Sequence, residues 1–102
     1  MELFKPKIAN KTGNKPKEKK PDEYKVILLN DHYTTMDFVV KILMNIFHRS
    51  YHDANIIMLE IHHNGKGIVG IFPYDIAVTR AEQVHEAAAA QEFPLKCIVE
   101  PV

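Results

Sequence analysis

The chain divides near residue 22 into a segment that cannot build a core and a segment that can. Residues 1–22 contain three prolines and seven lysines, with almost no apolar residues after Ile8. Such a segment buries too little apolar surface to offset the entropy lost on ordering. We therefore expect a flexible basic tail at residues 1–22. Residues 23–102 are expected to form one small domain with an adequate but marginal core.

Charge is distributed unevenly between these two segments. The tail has a balance of +4, and residues 23–102, with six basic and ten acidic residues, have a balance of −4. The neutral total disfavours a strongly basic nucleic-acid-binding protein. The sequence does not exclude a tail that binds a partner. The alternative function is a nucleic-acid- or ribosome-associated binding module that uses this tail.

Composition narrows the remaining classes. No apolar run approaches the roughly 20 residues of a membrane helix, and no signal peptide is apparent. We therefore expect a cytoplasmic protein that does not associate with membranes. Cys97 is the single cysteine, so neither an internal disulfide nor a cysteine-based zinc site is expected.

The first half of the folded segment has the pattern of a strand followed by a helix. β-Branched and aromatic residues at 24–29 predict a strand. Apolar residues then recur every three to four positions over residues 36–47, which predicts an amphipathic helix. Thr34 and Asp37 form an acidic variant of the capping box at its start.

The second half predicts two further helices and two strands. Asp53 is a candidate N-cap for a second helix that ends at Gly65. A strand at 67–72, a third helix at 73–91 and a last strand at 95–100 follow. The predicted fold is α/β of the α+β type. Its two layers, in the order β-α-α-β-α-β, consist of a three-stranded antiparallel sheet with three helices on one face.

Unusual polar residues lie where the first strand and the second helix end. Residues 30–32, Asn-Asp-His, follow the strand, and His62 shares a helix face with Met58. If the helices pack side by side, Met36 would join them in an apolar pocket with a rim of hydrogen-bond acceptors. Such a pocket suits a ligand with a cationic head and an apolar tail.

Ordinary structural roles are the alternatives for each of these residues. A histidine at a helix C-terminus interacts favourably with the helix dipole, methionines fill cores, and Asn-Asp pairs form turns. A metal-dependent hydrolase using Asp31, His32, His62 and His63 is disfavoured because no HExxH spacing occurs. No nucleophile arrangement or phosphate loop is present either, so neither an enzyme nor a cofactor is expected.

Three blocks of sequence together resemble the ClpS family. They are YKVILLNDHYTTMDFV at residues 24–39, MLEIHHNGK at 58–66 and PLKC at 94–97, and the resemblance extends over residues 23–101. It implies an adaptor that holds the N-terminal phenylalanine, leucine, tyrosine or tryptophan of a substrate protein, its N-degron. The adaptor delivers that protein to a Clp AAA+ unfoldase, ClpA or a relative. We expect a monomer that binds no nucleic acid.

The resemblance also implies roles for individual positions. Asn30 and His62 would hydrogen-bond the α-amino group of the ligand, with Asp31 beside them. His32 stands where many relatives have a second acid, so amine binding is expected to be weaker. The implied side-chain pocket comprises Thr34, Met36, Val39, Met58, Ile61 and Leu95.

Two further positions are implied to contact the unfoldase. Asp75 and Arg80 on the third helix match an acid and a base that face the N-terminal domain of that partner.

Met36, at the implied side-chain pocket, matches a gate that disfavours β-branched residues at the N-terminus of the substrate.

Overall fold

A central strand organises the domain. The computed structural model describes residues 22–102, so nearly all of the predicted tail, with its alternative function, lies outside the described residues. Strand β1 pairs antiparallel with β2 on one side and with β3 on the other. The elements are β1 (Glu23–Leu29), α1 (Met36–Asn45), α2 (Tyr51–Asn64), β2 (Lys66–Pro73), α3 (Tyr74–Ala90) and β3 (Lys96–Pro101). The predicted element order and α+β fold are confirmed.

The core lies between the sheet and the helices. Val26 and Leu28 of β1 are fully buried because alternate residues of a strand share a face. The predicted apolar face of α3 is confirmed by the burial of Ala77, Ala81, Val84 and Ala88. Small residues on that face allow the long helix to approach the sheet closely.

Both predicted N-caps are displaced. Thr35, not Thr34, caps α1 and accepts a hydrogen bond from the N–H of Phe38, because the hydroxyl of Thr34 is used by Asp31. Ser50, not Asp53, caps α2 by accepting from the N–H of Asp53. Asp53 therefore lies in the first turn, where its negative charge suits the helix dipole.

The segment between α1 and α2 is also anchored to the sheet. Helix α1 ends at Asn45, two residues before the expected end, yet Phe47 is still buried. The guanidinium of Arg49 donates to the carbonyl of Val69 on β2 at 2.6 and 3.2 Å.

Within residues 22–102, none of the helices has the length and apolar character required to cross a membrane.

Candidate functional site

One backbone hydrogen bond brings the end of β1 to the end of α2. The N–H of Asn30 donates to the carbonyl of Gly65 at 2.8 Å. Gly65 ends α2 in the left-handed conformation, with φ of 89°, and its own N–H donates to the carbonyl of Ile61. Asn30 is thereby placed beside the last turn of α2, which carries His62.

Asp31 organises the turn that follows. Its Oδ1 accepts from the N–H groups of Tyr33 and Thr34 at 2.8 and 2.7 Å, and its Oδ2 accepts from the hydroxyl of Thr34 at 2.7 Å. Partial burial raises the pKa of Asp31, but these hydrogen bonds and the nearby His32 outweigh it, so the pKa lies below its usual value. Both carboxylate oxygens are therefore engaged within the turn.

A cavity of about 250 Å³ opens between this turn, α1 and α2. It is smaller than the roughly 300–1,000 Å³ of pockets for drug-sized ligands, and so it suits one side chain. The cavity brings together nine of the ten residues predicted for amine and side-chain binding. They are Asn30, Asp31, His32, Thr34, Met36, Val39, Met58, Ile61 and His62.

The cavity has an apolar floor and a polar rim. Val39, Met58 and Ile61 are buried, whereas Asn30 and His62 are exposed. The ring of His63 packs edge-on against that of His62, with centroids 5.3 Å apart. Because the unpaired carbonyls at a helix C-terminus carry partial negative charge, the end of α2 adds an attraction for a cation.

Close packing of β2 against α2 supports the floor. A Cβ on Gly67 would lie 2.8 Å from Cγ1 of Ile61, so a side chain at this position would displace a floor residue. Met36 is 44% exposed at the start of α1, where it lines the mouth of the cavity.

Leu95 is the remaining residue of the predicted side-chain pocket. It is buried and lines a separate groove of about 420 Å³ between the end of α3 and β3. Leu95 and Cys97 alternate with exposed Lys96 and both belong to the core, so a place for Leu95 in the side-chain pocket stays a prediction.

The two positions implied to contact the unfoldase lie away from the cavity. Asp75 is exposed in the first turn of α3. Arg80, one and a half turns further along, is half-buried and donates to Oε1 of Gln83 at 3.3 Å. Their role stays a prediction.

Cys97 has the features of a structural thiol. Burial raises its pKa to about 12, so it stays protonated and a poor nucleophile at neutral pH. Its N–H donates to Nε2 of His85 at 3.0 Å. Across residues 22–102, no three His, Cys, Asp or Glu side chains converge as a metal site would require.

Sequence reasoning missed a second groove beside the cavity. It measures about 320 Å³ and lies against the same turn. Tyr33, Pro94 and Lys96 contribute to it. The PLKC block and Tyr33 are visible in the sequence, but only the pairing of β3 with β1 places them together.

The fold and cavity define a small α+β binding domain that presents hydrogen-bond acceptors above an apolar floor. The family model for ATP-dependent Clp protease adaptor protein ClpS matches residues 19–98. The chain belongs to the ClpS family of adaptors of the Clp protease.

Individual relatives agree with this assignment. The ClpS adapter of Acetivibrio thermocellus is 57% identical over 83 residues, covering 81% of this chain and 84% of that protein. The ClpS adapter of Campylobacter jejuni subsp. doylei is 50% identical over 93 residues, covering 91% and 97%. The structure of Agrobacterium tumefaciens ClpS2 bound to L-phenylalaninamide matches with a TM-score of 0.79 and 35% identity, covering 81% of this chain and 100% of that chain.

Proposed function

We propose that this chain is an N-degron adaptor. It binds the free α-amino group and bulky apolar side chain of an N-terminal phenylalanine, leucine, tyrosine or tryptophan, and delivers that protein to a Clp AAA+ unfoldase. The observation that carries the proposal is the cavity itself, where Asn30 and His62 border a buried floor of Val39, Met58 and Ile61.

The rim suits an ammonium group. An α-amine has a pKa of roughly 7.7–8 and is largely protonated at neutral pH. The amide oxygen of Asn30 and a ring nitrogen of neutral His62 can each accept one of its protons. Phenylalaninamide, the ligand of the Agrobacterium protein, combines a free α-amine with an aromatic side chain, which supports the same chemistry here.

The strength of binding follows from the same contacts. Each charge-assisted hydrogen bond contributes roughly 1.5–3 kcal/mol, and burial of a leucine or phenylalanine side chain contributes roughly 1.5–3 kcal/mol. Association costs at least ~4 kcal/mol. Two hydrogen bonds and one side chain therefore support weak binding, and contacts with later residues of the substrate are needed for higher affinity.

Fluorescence polarisation of a labelled decapeptide that starts with phenylalanine tests the proposal. The free peptide should bind, whereas the N-acetylated peptide should not, because acetylation removes the charge and two donors. His62→Ala and Asn30→Ala should each weaken binding about tenfold or more. His52→Ala, an exposed histidine in the first turn of α2, is the matched control. Equal binding of both peptides would show a general apolar groove and overturn the proposal.

The proposed contact with the unfoldase is tested on α3. Asp75→Lys and Arg80→Glu should weaken binding to the N-terminal domain of the unfoldase without changing affinity for the phenylalanine peptide. Glu86→Lys, on an exposed position of the same helix, controls for charge alone. If all three variants bind the unfoldase as tightly as wild type does, contact through these positions is refuted.

We also propose that the protein is a monomer, and sedimentation should give the mass of a single chain.

A further inference from the structure

A second groove lies on the other side of the turn that borders the cavity. It measures about 320 Å³ and shares Asn30, Asp31 and His32 with the cavity. Its remaining lining residues are Leu29, Tyr33, Pro94 and Lys96. The cavity and the groove therefore adjoin each other along the backbone of these three residues.

The groove presents an apolar surface with one cationic side chain. The ring of Tyr33 is 76% exposed, and Pro94 is also exposed. The N–H of Tyr33 is bonded to Asp31 at 2.8 Å, which fixes the backbone that carries the ring. An exposed aromatic on an ordered turn can cover a bound side chain at little entropic cost.

Charge in the groove is also defined. Asp31 has both oxygens engaged by Tyr33 and Thr34, and His32 and Lys96 are exposed beside it. Lys96 gives the groove one positive charge and the ionised Asp31 gives it one negative charge, so selectivity there rests on apolar contact.

Peptide geometry connects the groove to the cavity. Consecutive Cα atoms are about 3.8 Å apart across a trans peptide bond. A peptide whose amine lies at Asn30 therefore has the Cα of its second residue within about 3.8 Å of the first. The groove bordered by Asn30, Asp31 and His32 is within reach of that residue's side chain.

We propose that this groove holds the second residue of the N-degron and favours a large apolar side chain there. This inference rests on the proposed function, because the first residue must occupy the cavity. Contact with Tyr33 and Pro94 provides the apolar term. The substrates are then proteins selected by their first two residues.

The test compares decapeptides that begin Phe-Leu, Phe-Ala and Phe-Lys, each free and N-acetylated. Phe-Leu should bind about five- to tenfold more tightly than Phe-Ala, because about one additional side chain is partly buried. Phe-Lys should bind more weakly than Phe-Leu, because desolvation of its ammonium group offsets the apolar contact. Tyr33→Ala should abolish the advantage of Phe-Leu and leave the affinity for Phe-Ala unchanged. Tyr51→Ala, which removes another exposed tyrosine, on α2, should preserve it.

The outcomes separate this inference from the proposed function. If free Phe-Ala binds, acetylated Phe-Ala does not, and Phe-Leu gives no advantage, the groove proposal is overturned while the adaptor function stands. An advantage that survives Tyr33→Ala overturns it as well. If no free peptide binds, both proposals fail.

Discussion

Asp31 lines the cavity, as its predicted position beside the amine site requires, and it also orders the turn that borders the cavity. Its two oxygens accept three hydrogen bonds within the turn from Asn30 to Thr34. A carboxylate engaged in this way shapes the backbone that separates the cavity from the neighbouring groove. Under the proposed function, direct recognition of the amine would fall mainly to Asn30 and His62, which are exposed at the rim.

Asp31 should make folding stability depend on pH. Because its folded-state pKa is lowered from 3.8, its contribution is present above that value and is lost as the pH falls through the lowered pKa. Asp31→Asn should therefore be less stable than wild type to urea at pH 7, with the difference shrinking at acidic pH. A difference that stays constant across this range would show that the charge of Asp31 is not involved.

His32 should be the position where amine affinity can be raised. His32 is exposed on the wall of the cavity, so a carboxylate there would attract the ammonium through partly screened charge. His32→Asp should bind the phenylalanine peptide about two- to fivefold more tightly, as expected for an exposed ion pair of roughly 0.5–1 kcal/mol. His52→Asp, at the far end of α2, should leave the affinity unchanged. Equal affinities of all three proteins in a titration would refute this role.

At the scale of elements, sequence pattern predicted the helices, the strands and the C-cap at Gly65, but not the N-caps of α1 and α2. Thr34 and Thr35 are adjacent and both suit an N-cap. The choice is made by Asp31, which takes the hydroxyl of Thr34 and leaves that of Thr35 for Phe38. A local hydrogen bond that competes for the same side chain is invisible to a spacing rule.

The candidate site was predictable where one element contributes several residues and less so where distant elements meet. The resemblance over residues 24–39 and 58–66 named nine residues that line the cavity. Leu95, just before β3, is buried with Cys97 and lines the groove beside α3, so its place in the pocket stays a prediction. The groove at Tyr33 and Lys96 escaped notice because it depends on the pairing of Leu29 with Lys96.

The connection between α2 and β2 should depend on Gly65. Its φ of 89° is unfavourable for residues with a Cβ, although nothing lies within 4 Å of the position a Cβ would take. Gly65→Ala should therefore lower the free energy of unfolding by about 1–2 kcal/mol through backbone conformation alone. Gly65→Asn should be less destabilised because asparagine tolerates this conformation better. Urea unfolding would contradict the explanation if both variants matched wild type.

At the scale of the whole molecule, the sheet order positions the binding surface. Because β1 is central, its last residues lie between α2 and the start of β3, and the turn after Leu29 contacts both. The hydrogen bond from Asn30 to Gly65 and the pairing of Leu29 with Lys96 hold that turn from two sides. The cavity and the groove thus lie on two sides of one turn, which both neighbouring parts of the fold hold in place.

Removal of residues 1–21 should leave recognition intact. The described residues that line the cavity and the groove, and the described core, lie within residues 22–102. A chain that begins at Asp22 should therefore fold cooperatively and bind the phenylalanine peptide with wild-type affinity, measured by thermal unfolding and fluorescence polarisation. A loss of affinity with unchanged unfolding would show that residues 1–21 contact the peptide. A loss of cooperative unfolding would show that the domain begins earlier than residue 22. Delivery assays with the truncated and full chains, performed at equal peptide occupancy, would then assign any remaining difference to the step after recognition.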